Sequence, residues 1–390
     1  MMTRRLAFRL GAVLLGLLVG AVLMEATLQV TGTKPEISRR MTYIPKGPFS
    51  GIPHPPFQSY KKDYEGEQLY FKCDDSDCVE DMRIPFSTNS LRMRDIHHPL
   101  QKPPGTYRIL ILGDSFSVAD GVERLQAWPH KLGSALDQRH PVKRIEVINT
   151  AMQAYSTLDQ WHVLQHAIRF SPDLIIIGIY INDAMPSTAN WSVRGIRRED
   201  QSEYWQRLQG MTGANGPWLP PLTAQERALT SEAGLDHEHF MGNVRHSQRS
   251  ESPLAIVQWI EAIRHSAVQR QDTVAAIRAW WGPWNKLGQL EFTWSLAQLG
   301  RLSQERDIPM YAAVFPWMDG LQGDYPFDAV HTQIHTALTE AEIPHVDLLG
   351  AFTQAAAAGT PLWAHPTDHH PSKELHTVAA EELLKLIPEE

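Results

Sequence analysis

Tyr107–Val122 reads YRILILGDSFSVADGV. Its first half carries an unbroken aliphatic run, Ile109 to Leu112, which stops at Gly113-Asp114-Ser115. A short apolar run without polar alternation is what a strand buried on both faces requires. Such strands belong to parallel sheets covered by helices on either side. Four later stretches repeat the pattern: Arg144–Ile148 (RIEVI), Asp173–Ile179 (DLIIIGI), Pro309–Phe315 (PMYAAVF) and His345–Leu349 (HVDLL). Helical text follows or separates them, at Leu125–Leu136, Thr157–Ile168, Leu290–Glu305 and Ser372–Leu386. Alternation of this kind predicts an α/β fold with a parallel sheet between two helical layers.

One segment breaks the rhythm. Tyr180 to Ile308 separates the third strand from the fourth and is far longer than an ordinary crossover. Leu290–Glu305 is read as the crossover helix. Residues from about 186 to 289 are read as an insertion, with helical text at Leu254–Trp281. Eight of the twelve tryptophans fall between these two strands, so a helical cap with its own packing is expected there. The WWGPW cluster, Trp280 to Trp284, is the part of it most suggestive of function.

In an open parallel sheet, ligands bind beyond the carboxyl ends of the strands. After the first strand comes Gly113-Asp114-Ser115, and after the second Asn149-Thr150-Ala151-Met152-Gln153-Ala154. After the third comes Asn182-Asp183, and beyond the fifth Asp368-His369-His370-Pro371. A serine, backbone amides, an amide side chain and an Asp/His pair on one rim are the parts that acyl transfer needs. They supply nucleophile, oxyanion donors, base and orienting acid.

LILGDSFSVADGV resembles the first block of the SGNH (GDSL-type) hydrolases, and the resemblance extends over about Tyr107 to Leu386, interrupted by the insertion. The upstream NSLRMRD (Asn89–Asp95) is similar to membrane-anchored bacterial members. The resemblance implies a flavodoxin-like three-layer fold and a serine esterase. It makes Ser115 the nucleophile, His370 the base and Asp368 the orienting acid. The oxyanion hole would be formed by the amides of Ser115 and Ala154 and by the side chain of Asn182. His370 is preferred to His369 because it directly precedes Pro371, and His376 is assigned to packing or capping. Two positions depart from the family pattern: Ala154 stands where a glycine is usual, and Tyr180 replaces the glycine of the Gly-x-Asn-Asp block.

The N-terminus sets the compartment. Arg4, Arg5 and Arg9 precede the uncharged run Leu10–Met24, which Glu25 closes. A basic flank before an apolar run stays in the cytoplasm, and the chain beyond the run is exported. Residues 1–30 are expected to be a signal-anchor in the inner membrane, a cleaved signal peptide being the alternative, with a periplasmic stalk and irregular cap over 31–105 and the hydrolase-like domain over 106–390. Cys73 and Cys78, in KCDDSDC, then read as a small disulfide loop. The net charge is −8, from 36 basic and 44 acidic residues, and argues against a nucleic-acid partner. No metal or organic cofactor is expected. Asp236-His237-Glu238-His239 with His246 has ligand residue types but is read as solvated loop.

The reading is an exported ester hydrolase acting on O-acyl groups of an envelope glycan or lipid. An O-acetyltransferase using the same residues is the alternative, as is a catalytically silent glycan-binding protein. On this reading the protein fractionates with membranes. Purified without reductant, it resists thiol alkylation at Cys73 and Cys78, and quantitative alkylation of the native protein would contradict the exported disulfide.

Overall fold

The structure is a computed structural model. It describes residues 2–31, 42–43, 60, 62–73, 78–140, 143–153, 155–184, 254–260, 273–275, 277–278, 280–282, 286–366 and 368–388. The chain forms two compact units, residues 1–39 with 244–276, and residues 40–243 with 277–390.

In the first unit, α1 (Met2–Thr31) is a continuous helix. Its segment Ala12–Thr31 has a mean hydropathy of 2.0 and none of it is buried, so it is long and apolar enough to cross a membrane. The helix continues through Glu25, where the sequence run had ended. The Glu25 carboxylate accepts the backbone N–H groups of Ala255 and Ile256, each at 2.9 Å, which open a helical stretch over 255–260. The single charge within Ala12–Thr31 is thereby used to satisfy the unpaired amides of another helix start.

The second unit is built on five parallel strands: β4 (Thr106–Leu112), β5 (Arg144–Asn149), β6 (Leu174–Tyr180), β7 (Met310–Phe315) and β8 (His345–Asp347). Their spatial order is β5-β4-β6-β7-β8, the flavodoxin-like order, with its switch point between β4 and β6. Alternate residues of β4 and β6 serve opposite faces. Ile109, Ile111, Leu174 and Ile176 share one core with Trp128, Leu132, Leu375 and Leu383. The first-face helices are α3 (Trp128–Arg139), α7 (Leu349–Ala357) and α8 (Lys373–Leu386). Leu110, Leu112, Ile175 and Ile177 are equally buried on the other side, which α4 (Thr157–Ala167), α5 (Lys286–Arg306) and α6 (Asp328–Glu340) serve. The expected three layers are present, and α5 is the crossover helix between β6 and β7.

Two features were not expected. Residues 65–87, read as irregular, form an antiparallel hairpin of β2 (Glu65–Cys73) and β3 (Cys78–Ser87), with the two-residue β1 (Thr42–Tyr43) on its edge. The reason lies in period-two burial: Gln68 and Tyr70 are buried from β2 and Ile84 and Phe86 from β3, whereas Leu69 and Pro85 between them are not. A polar residue on the buried face and a leucine off it hid the alternation. The register sets Cys73 opposite Cys78, and directly opposed strand residues lie about 4.5–5.5 Å apart at Cα, within the span of a disulfide. The second feature is a short hairpin of β9 (Trp363–His365) and β10 (Asp368–Pro371) just before α8.

Close packing fixes the turn after β4. Gly113 has φ +155° and Gly178 lies across from it on β6; a Cβ on either would overlap the buried side chain of Ser117. Gly178→Ala should lower stability by about 1–3 kcal/mol through overpacking. Adding Ser117→Gly should recover most of that loss. Denaturant midpoints of the two single variants and the double variant test this, and strict additivity would contradict it.

Candidate active site

Ser115 begins α2 (Ser115–Val118), directly beyond the carboxyl end of β4. Asp114 is the N-cap: its side chain accepts the N–H of Phe116 at 3.0 Å. α2 is a single turn, so it contributes little dipole to the serine, less than a full helix would. It ends at Ala119 in the left-handed region, φ 64° and ψ 60°, and the chain turns back at Gly121, φ +77°. Asp114 is fully buried, in keeping with a structural role.

The loops around this turn are tied down by Asn89–Asp95. Arg94, fully buried, donates to the carbonyls of Val118, Ala119 and Val122 at 2.9, 2.6 and 2.7 Å. Asp95 accepts the N–H of Asn149 at 2.9 Å, and Asn149 donates its side-chain amide to the Ser117 carbonyl at 2.8 Å. The motif is thus a strap that fixes the loops after β4 and β5 to each other. Asp95 is further held by His98, which also bonds Glu146.

His370 and Asp368 stand together on β10. Asp368 Oδ1 lies 2.5 Å from His370 Nδ1 and accepts the His370 N–H at 3.1 Å. Asp368 Oδ2 accepts the hydroxyl of Tyr70 at 2.6 Å, from the β2 strand 298 residues away. The spacing Asp-x-His therefore suffices for the acid to reach the ring. Burial alone would raise Asp368, but the His370 charge and the bonds from His370 and Tyr70 outweigh it. The carboxyl is held far below its ordinary range. Burial alone would lower His370; Asp368 first, then Asp120 and Asp114, outweigh it and push the imidazole up to about 9.

Asp120 lies within the Leu110–Val122 block, but nothing in that block marks it as facing His370. It is buried, accepts the side-chain amides of Gln68 (2.9 Å) and Gln153, and presents Oδ2 4.0 Å from His370 Nε2. Tyr70 and Gln68 come from the hairpin, and no local signal in GEQLYFKC marks them. Ser115 Oγ makes no hydrogen bond among the described residues. The turn that carries Ser115 packs beside the strand that carries His370: the ring of Phe116, the next residue, meets the His370 ring edge-on at 5.4 Å.

The third rim element places Asn182 in the turn after β6, with its Oδ1 buried and without a hydrogen-bond partner among the described residues, while Trp281 donates its indole N–H to the neighbouring Ile181 carbonyl at 2.6 Å. The buried part of the WWGPW cluster thus holds the turn that carries Asn182. Trp284 and Ala154 lie outside the described residues, as does the Asp236–His246 cluster. Tyr180, at the position of the usual glycine, stacks on Phe116 at 3.9 Å and 18°. Asp183 is fully buried beside Asn182; burial raises its carboxyl, and the Asp114 charge adds to that. His369 turns away from Asp368: Nδ1 bonds Asp319 Oδ2 at 3.1 Å and its ring stacks on Trp363. His376 is buried in α8 and accepts the Trp128 N–H at 3.3 Å, a packing role as expected.

No protein-family model matches the chain, and no curated protein matches it either. Solved structures similar to it include an alpha/beta hydrolase enzyme from the metagenome of Lake Arreo, Spain, at 14% identity and TM-score 0.39, covering 72% of this chain and 94% of that one. A mutant of an acetyl-xylooligosaccharide esterase from Geobacillus stearothermophilus also matches at 14% and 0.39, with 72% and 93% covered. The psychrotrophic esterase EstA from Pseudoalteromonas sp. matches at 12% and 0.35, with 72% and 96% covered.

The electrostatics give a pH dependence. If His370 serves as a base, it must be unprotonated to accept a proton, and its imidazole is pushed up to about 9. Any ester hydrolysis that runs through it should then rise with pH up to about 9 and level off. Asp120→Asn removes one carboxylate that holds the proton on His370, so the inflection should move to lower pH. Profiles of kcat/KM with an aryl acetate measure this, and an unmoved inflection in Asp120→Asn would count against the arrangement.

Proposed function

We propose that this protein is a membrane-anchored serine ester hydrolase whose domain lies outside the cytoplasm. The observation that carries the reading is the Asp368–His370 pair, 2.5 Å apart, beside the Ser115 turn at the carboxyl edge of the sheet. A buried carboxylate against Nδ1 fixes the imidazole tautomer that leaves Nε2 available as base. The proposed substrate is a small O-acyl ester on an envelope glycan. Its support is the compartment set by the basic flank and apolar helix, together with the resemblance in the Gly-Asp-Ser block.

In the proposed reaction Ser115 Oγ attacks the ester carbonyl carbon while its proton passes to His370 Nε2. The carbonyl oxygen becomes an oxyanion held by the amides of Ser115 and Ala154 and by the Asn182 side chain. The C–O bond to the alcohol then breaks, and His370 returns the proton to the leaving oxygen. Water, deprotonated by the same histidine, attacks the acyl-serine and releases the acid. Asp368 stabilises the imidazolium throughout and keeps its own charge.

Labelling with a fluorophosphonate tests the nucleophile directly: the wild type should react and Ser115→Ala should not. Ser115→Ala and His370→Ala should each remove nearly all hydrolysis of an aryl acetate, and the double variant should be little worse than either. Asn182→Ala should cost roughly 2.7–4 kcal/mol in the barrier, a loss of about 100- to 1,000-fold. His369→Ala should stay within about tenfold of wild type, because the ring is engaged with Asp319 and Trp363. Full activity in Ser115→Ala would overturn the acyl-enzyme mechanism.

A further inference from the structure

A second cluster of chemistry-bearing side chains lies at the far edge of the sheet and has no part in the mechanism above. His331 and His335 are one turn apart on α6 and so share a face. His345 and Asp347 are two residues apart on the edge strand β8 and also share a face. The two faces meet. Asp347 Oδ2 lies 2.8 Å from His331 Nδ1 and 2.8 Å from His335 Nε2, and one atom from each of the three residues falls within 4.8 Å of the others.

The atoms that do not point into this cluster are each held from outside. His331 Nε2 bonds the Tyr325 hydroxyl oxygen at 2.9 Å, which in turn accepts the Trp317 N–H at 2.9 Å. His335 Nδ1 lies 2.8 Å from His345 Nε2, and His345 Nδ1 donates to the Ile343 carbonyl at 2.9 Å. Asp347 Oδ1 accepts the Leu349 N–H at 2.8 Å. Metal-bound histidines and carboxylates are oriented in this way, with the outer ring nitrogen and the second oxygen bonded to a carbonyl, another side chain or an amide. His331 is buried, whereas His335 is 33% exposed at its side chain. The cluster is therefore closed behind and open on one side, which leaves room for water as a further ligand.

From this geometry we infer that His331, His335 and Asp347 form a zinc site that clips helix α6 to the edge strand β8. Two imidazoles and one carboxylate with an open position match zinc, whose ligands lie about 2.0–2.2 Å away. Tetrahedral ligands at that radius are roughly 3.3 Å apart, so seating the ion widens the two short contacts by about half an ångström. Tyr325 and His345 act as the outer partners that aim the two imidazoles. The site is independent of the esterase reading, and its test does not use ester hydrolysis.

The full chain, stripped with a chelator, is titrated with Zn2+ alone by calorimetry. One tightly bound ion per chain is expected, with a rise in the thermal midpoint. His335→Gln keeps a donor to Asp347 but is a poor zinc ligand. It should fold with the midpoint of the stripped wild type, bind Zn2+ at least 100-fold more weakly and lose the zinc-dependent rise. Tyr325→Phe should weaken binding by about tenfold through its effect on ring orientation. The pair His237→Ala with His239→Ala should bind as the wild type does. Absence of a stoichiometric ion in the wild type would overturn the proposal. So would unchanged affinity in His335→Gln, or loss of binding in the His237/His239 variant. Co2+ on the wild type gives a check that needs no variant: a nitrogen–oxygen ligand field without thiolate charge transfer is expected, and a thiolate band would assign the ion elsewhere.

Discussion

The carboxylate of Asp368 has to be satisfied on both oxygens, because an unpaired buried charge is far too costly to keep. Each oxygen takes a partner from a different part of the chain. Oδ1 faces His370, and Oδ2 accepts the hydroxyl of Tyr70 from the hairpin. Gly121, in the turn after α2, completes the enclosure: a Cβ there would stand 3.3 Å from Asp368 Oδ2 and 3.2 Å from the Tyr70 hydroxyl. The hairpin, the loop after β4 and the β10 strand are therefore mutually dependent. This explains why a segment N-terminal to the α/β sheet lies in the same compact unit.

A second set of buried charges does for the sheet what Asp368 does for the site. Arg108, fully buried on β4, donates to Glu146 on the neighbouring strand at 2.6 Å and to the carbonyls of Pro99, Leu100 and Phe170 at 2.6, 2.9 and 2.7 Å. Glu146 also bonds His98, and His98 bonds Asp95, which holds the amide of Asn149. The line runs from the start of β4 to the carboxyl end of β5. Each member satisfies the next, as buried polar networks must if they are to fix one arrangement and not merely add cost. Residues 89–102 are thus fastened at two places to the strands that present Ser115.

Two histidines adjacent in sequence, His369 and His370, end in different networks because β10 sends successive side chains to opposite sides. One joins Asp368; the other joins Asp319 in the loop after β7. That same loop supplies Trp317, whose amide reaches Tyr325 and through it the His331–Asp347 cluster. The active-site rim and the cluster at the sheet edge are therefore served by one connection between β7 and α6.

The sequence by itself determined the sheet. Apolar runs such as Ile109–Leu112 and Leu174–Ile177 have no other way to bury both faces, and five of them separated by helical text admit a parallel sheet with two helical layers. The rim residues Ser115, Asn182 and His370 were legible for the same reason, since residues that follow parallel strands must gather at one edge. The hairpin was not legible, because its buried face carries Gln68 while Leu69 lies off it, so burial and polarity do not alternate together. The bond from Tyr70 to Asp368 was not legible either, because no local spacing records a contact across 298 residues. Arg94 and Asp120 lie in stretches that stood out, but what they hold is set by tertiary packing: the carbonyls of Val118, Ala119 and Val122 for one, Gln68 and His370 for the other. The His331-x-x-x-His335 and His345-x-Asp347 spacings were visible, but each alone is ordinary helix or strand text. Only the packing of α6 against β8 made them one cluster, because convergence of side chains from two elements is a property of tertiary structure and not of either periodicity.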